Sequence, residues 1–293
     1  MQYFEGKTVL LTGATSGLGY SLLRILSLSR NCNIIIAGRS LKKLTSLTSD
    51  IGEVSAHISA AKLDLESSDS DIRESISLVY KIHGKIDVLL NCAGMGFRGK
   101  VVETLADVDR RIMQVDYFGQ IAVIKSLLQQ WKESGACAWD IVQVGSVQGF
   151  IGIADRAPYA AAKHALVGFV DCLRAEFDEY PRPSARRVML VAPGYIATNH
   201  SINSITGSGS IYSEQDAATL SGYNPDYVAR QILEGCAGGR RELIIADLKV
   251  KILLLIRSFY PGLCFKILRN RFLGSKQDQS SLLSSIYRWM SNR

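Results

Sequence analysis

Histidine is scarce, with four in 293 residues, and the six cysteines (Cys32, Cys92, Cys137, Cys172, Cys236 and Cys264) lie too far apart to make a Cys-x-x-Cys pair. The ligand spacing of a zinc site is therefore missing, and free thiols in a reducing intracellular compartment are expected. No apolar run reaches the roughly 18 to 20 residues that cross a bilayer. Residues 1–7 lead almost directly into a strand pattern, which leaves no room for the charged and apolar regions of a signal peptide. Internal repeats and low-complexity stretches are also missing.

What is present is a globular composition, 47% hydrophobic and 21% charged, which argues against disorder over most of the length. The length suits one α/β domain, residues 1–246, with an appended tail, residues 247–293. Short β-rich apolar runs at 8–11, 33–37, 57–62, 86–90, 140–144, 187–191 and 242–245 alternate with helical patterns at 17–28, 41–48, 69–83, 105–131, 159–180 and 225–234. That alternation predicts a Rossmann-type, doubly wound parallel sheet of seven strands with helices on both faces. The 105–131 run is long for one helix and is expected to break near its start. Residues 193–223 form a long connection rich in Ser, Gly, Asn and Thr, and they read as a substrate lid.

Between the first strand and first helix stands Gly13–Ala14–Thr15–Ser16–Gly17–Leu18–Gly19. Glycines at 13, 17 and 19 allow a sharp turn and close backbone approach to a pyrophosphate, and the helix N-terminus adds N–H donors. The second strand ends Ala37–Gly38–Arg39–Ser40, without the carboxylate that grips the ribose hydroxyl of NAD. Arg39, with Ser40 beside it, offers a cationic fork to a 2′-phosphate, so NADP(H) is the expected cofactor. Asp64, followed by Leu65, suits either a hold on the adenine amino group or an N-cap for the next helix.

Tyr159 and Lys163 are spaced i, i+4 at the start of a predicted helix, which brings an ammonium near a phenol. The cation is expected to lower the tyrosine pKa from about 10. Ser146 follows the fifth predicted strand and emerges at the same edge of the sheet, where its hydroxyl can bond a substrate carbonyl.

These motifs together resemble the short-chain dehydrogenase/reductase family over about residues 6–246: TGATSGLG at 12–19, NCAG at 91–94, Ser146, YAAAK at 159–163, and Pro193–Gly194 followed by Thr198. The resemblance implies that Tyr159 exchanges the proton, that Lys163 binds the nicotinamide ribose, and that Pro193, Gly194, Ile196 and Thr198 contact the nicotinamide side. It also implies that Asn91, with Ala93 and Gly94 after it, braces the central sheet and borders the adenine ribose. Where the family usually has asparagine in the long central helix, this chain has Asp116, which puts Asp116 in the catalytic relay. The segments 194–212 and 246–271 are similar to the member 7 and 7B subgroup. That resemblance implies an apolar lipid, steroid or retinoid carbonyl, or an acyl- or alkyl-dihydroxyacetone phosphate, and the cytosolic face of endoplasmic-reticulum or peroxisomal membranes. A homodimer or homotetramer built on the helices at 105–131 and 159–180 is implied as well.

The tail differs in character. Lys249, Lys251, Arg257, Lys266, Arg269 and Arg271 interleave with large apolar residues around Pro261–Gly262. This pattern fits peripheral membrane contact through residues 247–271, or an amphipathic helix packed on the domain or a partner. Asp116 and the tail also suit a catalytically idle, NADP(H)-binding scaffold docked on a membrane or protein. Nucleic-acid binding lacks a recognition fold and a stacking surface here.

Overall fold

Strands that are buried on both faces need helices above and below them, and the order in which the chain visits them fixes where a ligand can sit. The computed structural model describes residues 2–52, 54–178 and 186–274. Its strands are β1 (Thr8–Thr12), β2 (Asn33–Gly38), β3 (His57–Lys62), β4 (Val88–Asn91), β5 (Phe97–Arg98), β6 (Trp139–Val144), β7 (Arg186–Pro193), β8 (Ile205–Thr206) and β9 (Glu242–Ile245). Seven of them form one sheet in the order β3-β2-β1-β4-β6-β7-β9, and every pairing is parallel. The order reverses between β1 and β4, so their carboxyl ends open a groove.

The helices are α1 (Gly17–Leu26), α2 (Leu41–Asp50), α3 (Asp69–His83), α4 (Ala106–Met113), α5 (Gly119–Glu133), α6 (Ala157–Asp178), α7 (Ala217–Leu220), α8 (Pro225–Ala237), α9 (Leu248–Phe259) and α10 (Pro261–Gly274). One core layer places Leu22, Leu26, Val228 and Ile232 of α1 and α8 on one face of the sheet. The other places Ile72, Ile76, Val123, Leu127 and Val170 of α3, α5 and α6 on the opposite face. The doubly wound, seven-stranded architecture expected from the sequence is therefore present. Helix α3 shows how locally it is written: Ser68 caps Asp71 N–H, Ile72, Ile76 and Val79 make the buried stripe, and Gly84 ends the helix at φ +70°.

Two expectations need correction. The 105–131 helix does not break near its start; α4 and α5 are joined by a π turn, Gln114–Phe118, which holds Asp116. One extra residue in a turn shifts the helix phase, and here it carries Asp116 to the inside. The 193–223 connection is not irregular throughout, because β8 pairs with β5 and α7 lies within it. It is also latched: Arg98 Nη2 and Arg156 Nη2 reach the one carboxylate oxygen of Asp216, at 2.6 and 3.2 Å. The expected end of the 159–180 helix, and residues 275–293 of the tail, lie outside the described residues. No helix among those described is long and apolar enough to cross a membrane.

Candidate active site

The groove at the β1–β4 switch is a cleft of about 1710 Å³. Gly13, Thr15, Ser16, Gly17, Leu18 and Gly19 form one wall of it. Their fit to a pyrophosphate rests on how closely backbone approaches backbone. A Cβ on Gly19 would lie 2.1 Å from the Gly13 carbonyl oxygen, and one on Gly13 would lie 2.8 Å from the Ala93 nitrogen. Only hydrogen fits, which leaves the turn and the first N–H groups of α1 open to an anion.

A buried polar chain fixes the opposite lip. Thr12 Oγ1 donates to Asn91 Oδ1 at 2.9 Å and accepts the N–H groups of Cys92 and Ala93. Asn91 Nδ2 donates to Gln143 Oε1, Gln143 Nε2 to Gln120 Oε1, and Gln120 Nε2 to the Ala93 carbonyl. Asn91 thus stands behind the cleft wall, while Ala93 and Gly94 line it. Gln120 and Gln143 escaped the sequence reading because their partners lie on strands and helices distant in the chain.

At the adenine end Arg39, Lys43, Asp64, Leu65, Glu66 and Arg111 line the cleft. The carboxylate missing from the end of β2 comes from another loop: Glu66 Oε1 meets Arg39 Nη1 at 2.8 Å, and Glu66 also binds Arg111. Arg111 first, with Arg39, holds the Glu66 carboxyl below the usual range against the opposing effect of burial. Asp64 does not cap α3, since Ser68 does; its Oδ1 accepts the Glu66 N–H at 3.0 Å and braces the loop. Ser40 caps α2 through Lys43 N–H.

At the other end Ser146, Tyr159 and Lys163 all line the cleft. Ser146 leaves β6 into a tight turn, where its Oγ accepts the Gln148 N–H at 3.1 Å. The turn packs on α6 so closely that a Cβ on Gly149 would lie 2.8 Å from the Lys163 carbonyl oxygen. The first turns of α6 present Tyr159 and Lys163 on one face, with Nζ 5.4 Å from the phenol ring centroid. The expected lowering of the Tyr159 pKa needs correction. Burial raises it more than the nearby Lys163 ammonium and Ser146 hydroxyl lower it, and Asp116 adds to the rise.

Asp116 is fully buried beside them. Its Oδ1 accepts the Met95 N–H at 2.7 Å, and its Oδ2, 3.8 Å from Lys163 Nζ, has no hydrogen-bond partner. Burial lifts this carboxyl above the usual range, and Lys163 pulls the other way. An ionised Asp116 offsets part of the positive charge that Tyr159 feels. Asp116→Asn is therefore expected to ease phenol ionisation and to move any activity limb that needs the phenolate to lower pH. A pH series of kcat/KM on both proteins measures the shift.

Pro193, Gly194, Ile196 and Thr198 line the cleft from the β7 side. His200, which the sequence reading passed over, stands 6.1 Å from Tyr159 between ring centroids. The protein packed around it, and then Arg98, Lys163 and Arg156, push its imidazole below the usual range, so it is neutral near pH 7. Helices α9 and α10 complete the rim with Val250, Leu253, Ile267, Leu268 and Arg271. Among the described residues no cluster of His, Cys, Asp and Glu could hold a metal ion.

The chain that forms this cleft has relatives among known proteins. The family model for short chain dehydrogenases matches residues 7–207. The dehydrogenase/reductase SDR family member 7B of Danio rerio is 33% identical over 273 residues, covering 91% of this chain and 86% of that protein. A family protein 7-like from Anopheles gambiae is 36% identical, covering 92% and 84%. Among solved structures, a short chain dehydrogenase/reductase from Burkholderia phymatum in complex with NAD superposes with a TM-score of 0.76 at 20% identity, over 90% of this chain and 96% of that one. One from Burkholderia cenocepacia in complex with NADP gives 0.71 at 22% identity, over 92% and 99%. With cradle, Ser–Tyr–Lys set and relatives in agreement, this chain belongs to the short-chain dehydrogenase/reductase family.

Proposed function

We propose that the protein is an NADP(H)-dependent reductase of apolar ketones, with Tyr159 as proton donor. The observation that carries this reading is the placement of Tyr159, Ser146 and Lys163 in the same cleft as the glycine cradle. Lys163, Gly194 and Thr198 would hold a nicotinamide in the cleft, and that group would supply hydride chemistry at the carbonyl carbon. Ser146 and Tyr159 hold the carbonyl oxygen, and the phenol gives its proton to that oxygen as negative charge grows there. Lys163 keeps positive charge beside the phenol, and the phenol regains a proton from solvent by way of the lysine side of the site. A tyrosine whose pKa is raised is already protonated near pH 7, which favours reduction over oxidation at that pH.

An apolar substrate is supported by Met95, Ile151, Ile153, Ile211, Leu253 and Leu268 in the lining of the cleft that holds Tyr159. NADP(H) rather than NAD(H) is supported by Arg39 and Lys43 at the adenine end, against which Glu66 sets one carboxylate already shared with Arg111. Arg39→Asp is expected to weaken NADPH binding by about tenfold to a hundredfold and NADH binding much less. Glu66→Gln, by releasing Arg39, is expected to tighten NADPH instead. Fluorescence titration of both cofactors measures these changes, and equal wild-type affinities for NADPH and NADH remove the NADP(H) assignment. A panel of ketones followed by NADPH absorbance tests the activity itself. Cofactor binding without turnover across that panel, with activity appearing in Asp116→Asn, supports the idle-scaffold reading instead.

A further inference from the structure

We infer that the outer face of α9 and α10 docks on an anionic lipid bilayer and holds the mouth of the cleft against it, so that an apolar ketone enters from the membrane. Leu248, Ile252, Leu255 and Phe259 recur at i, i+4, i+7 and i+11, which places them within one narrow stripe of α9. All four are exposed, from 43% for Ile252 to 73% for Phe259, and Phe265 at the start of α10 is 54% exposed. Four large apolar side chains aligned and facing solvent form a surface that water does not favour.

Charge selects the occupant. Lys249 and Lys251 flank the stripe, Lys266 and Arg269 are exposed beside Phe265 on α10, and no Asp or Glu occurs from residue 248 to residue 274. Apolar side chains bordered by cations alone match a lipid interface with anionic headgroups, where the apolar groups enter the acyl boundary and the ammonium and guanidinium groups remain among the phosphates. A second copy of this face would set Lys249, Lys251, Lys266 and Arg269 against the same four cations, which argues against self-association through it.

The inner side of the same two helices ties the surface to the site. Val250, Leu253, Ile267 and Leu268 point the other way and line the cleft. Tyr223 donates to Asp247 Oδ1 at 2.9 Å at the start of α9, and Arg271 lies over the Tyr195 ring on α10, so both helices are joined to the lid. The apolar lining of the cleft and the apolar outer face are thus two sides of the same pair of helices. An apolar molecule leaving the bilayer beside α9 and α10 would meet carbon for most of its path.

The test uses the full chain with the double variant Leu255→Glu/Phe259→Glu, neither residue of which lines the cleft. Sedimentation is measured with vesicles of phosphatidylcholine and phosphatidylserine and with phosphatidylcholine alone. The wild type is expected to bind the mixed vesicles, to release in high salt, and to lose at least about tenfold in partitioning in the double variant, with NADPH affinity unchanged as the check on folding. Absence of binding to mixed vesicles, or equal binding by the variant, overturns the proposal. So does a wild type that is a larger oligomer without vesicles and falls apart in the variant, since the face is then covered by a second copy. A second arm rests on the ketone-reductase reading: turnover of a ketone dissolved in the bilayer is expected to fall in the variant while that of a water-soluble ketone does not. If neither ketone is turned over by wild type that binds vesicles, the catalytic reading fails and the docking surface stands; unchanged turnover of the bilayer ketone by the variant defeats the entry route.

Discussion

Tyr159→Phe is expected to lower ketone reduction by about a hundredfold to ten-thousandfold, the range that a positioned proton donor contributes, and to leave NADPH affinity close to that of wild type. The phenyl ring keeps the packing against His200 and Lys163, so the change removes one hydroxyl. Without it the developing alkoxide has the Ser146 hydroxyl as its remaining neutral donor. The wild-type pH dependence follows from the direction of the tyrosine shift. Burial holds the phenol protonated through neutral pH despite Lys163; reduction therefore persists through that range and falls as pH rises past the raised pKa, whereas alcohol oxidation, which needs the phenolate as base, grows with pH. Stopped-flow absorbance of NADPH with the phenylalanine variant, and pH series in both directions on wild type, measure these effects. A variant with near-full turnover ends the role of Tyr159.

Gly19→Ala is expected to be the most damaging single methyl group in the chain. Its Cβ would sit 2.1 Å from the Gly13 oxygen and 2.6 Å from the Gly13 carbonyl carbon, both backbone atoms without a rotamer to give way. Relief requires the phosphate turn to move off α1, and that turn is held on its other side by the Ala93 backbone. NADPH affinity is expected to fall by at least about a hundredfold, and stability by about 1 to 3 kcal/mol, the usual cost of overpacking. Gly17→Ala makes an instructive comparison. Its Cβ meets only the Thr198 side chain, at 3.2 Å, but its φ of +52° adds backbone strain, so a smaller loss in both measurements is expected. Calorimetric binding and thermal unfolding of the two variants separate the contributions; wild-type affinity in Gly19→Ala would show that the cradle does not receive the phosphates.

Local signals made most of this legible in the sequence. The strands β3 and β9 and helix α3 have the bounds that the apolar periodicity gives, because period and caps are written within the segment itself. The glycine turn and the i, i+4 pair of Tyr159 and Lys163 are equally local. What escaped depends on contacts across the chain: Glu66 reaching Arg39, Gln120 and Gln143 bracing Ala93, and Asp216 between two arginines. The π turn at Gln114–Phe118 has no distinctive residue pattern, although it decides that Asp116 faces Lys163. The direction of the Tyr159 shift was misjudged for a related reason. The spacing announces a nearby cation, but how far the surrounding protein removes water from the phenol appears only when the chain is folded.

The sharing of Asp216 by Arg98 and Arg156 bears on how this scaffold can be re-engineered. The three side chains come from β5, from the loop before α6 and from the segment before α7, and they are 8%, 13% and 17% exposed. A loop exchange meant to recruit a new substrate, replacing residues 199–217 alone, would strand two guanidiniums with little water to soften their mutual repulsion, at a cost on the order of 3 kcal/mol. Transplants that keep an acid at 216, or that carry neutral side chains at 98 and 156 along with the new loop, avoid the conflict. In this protein the unit of exchange is three stretches of chain acting as one.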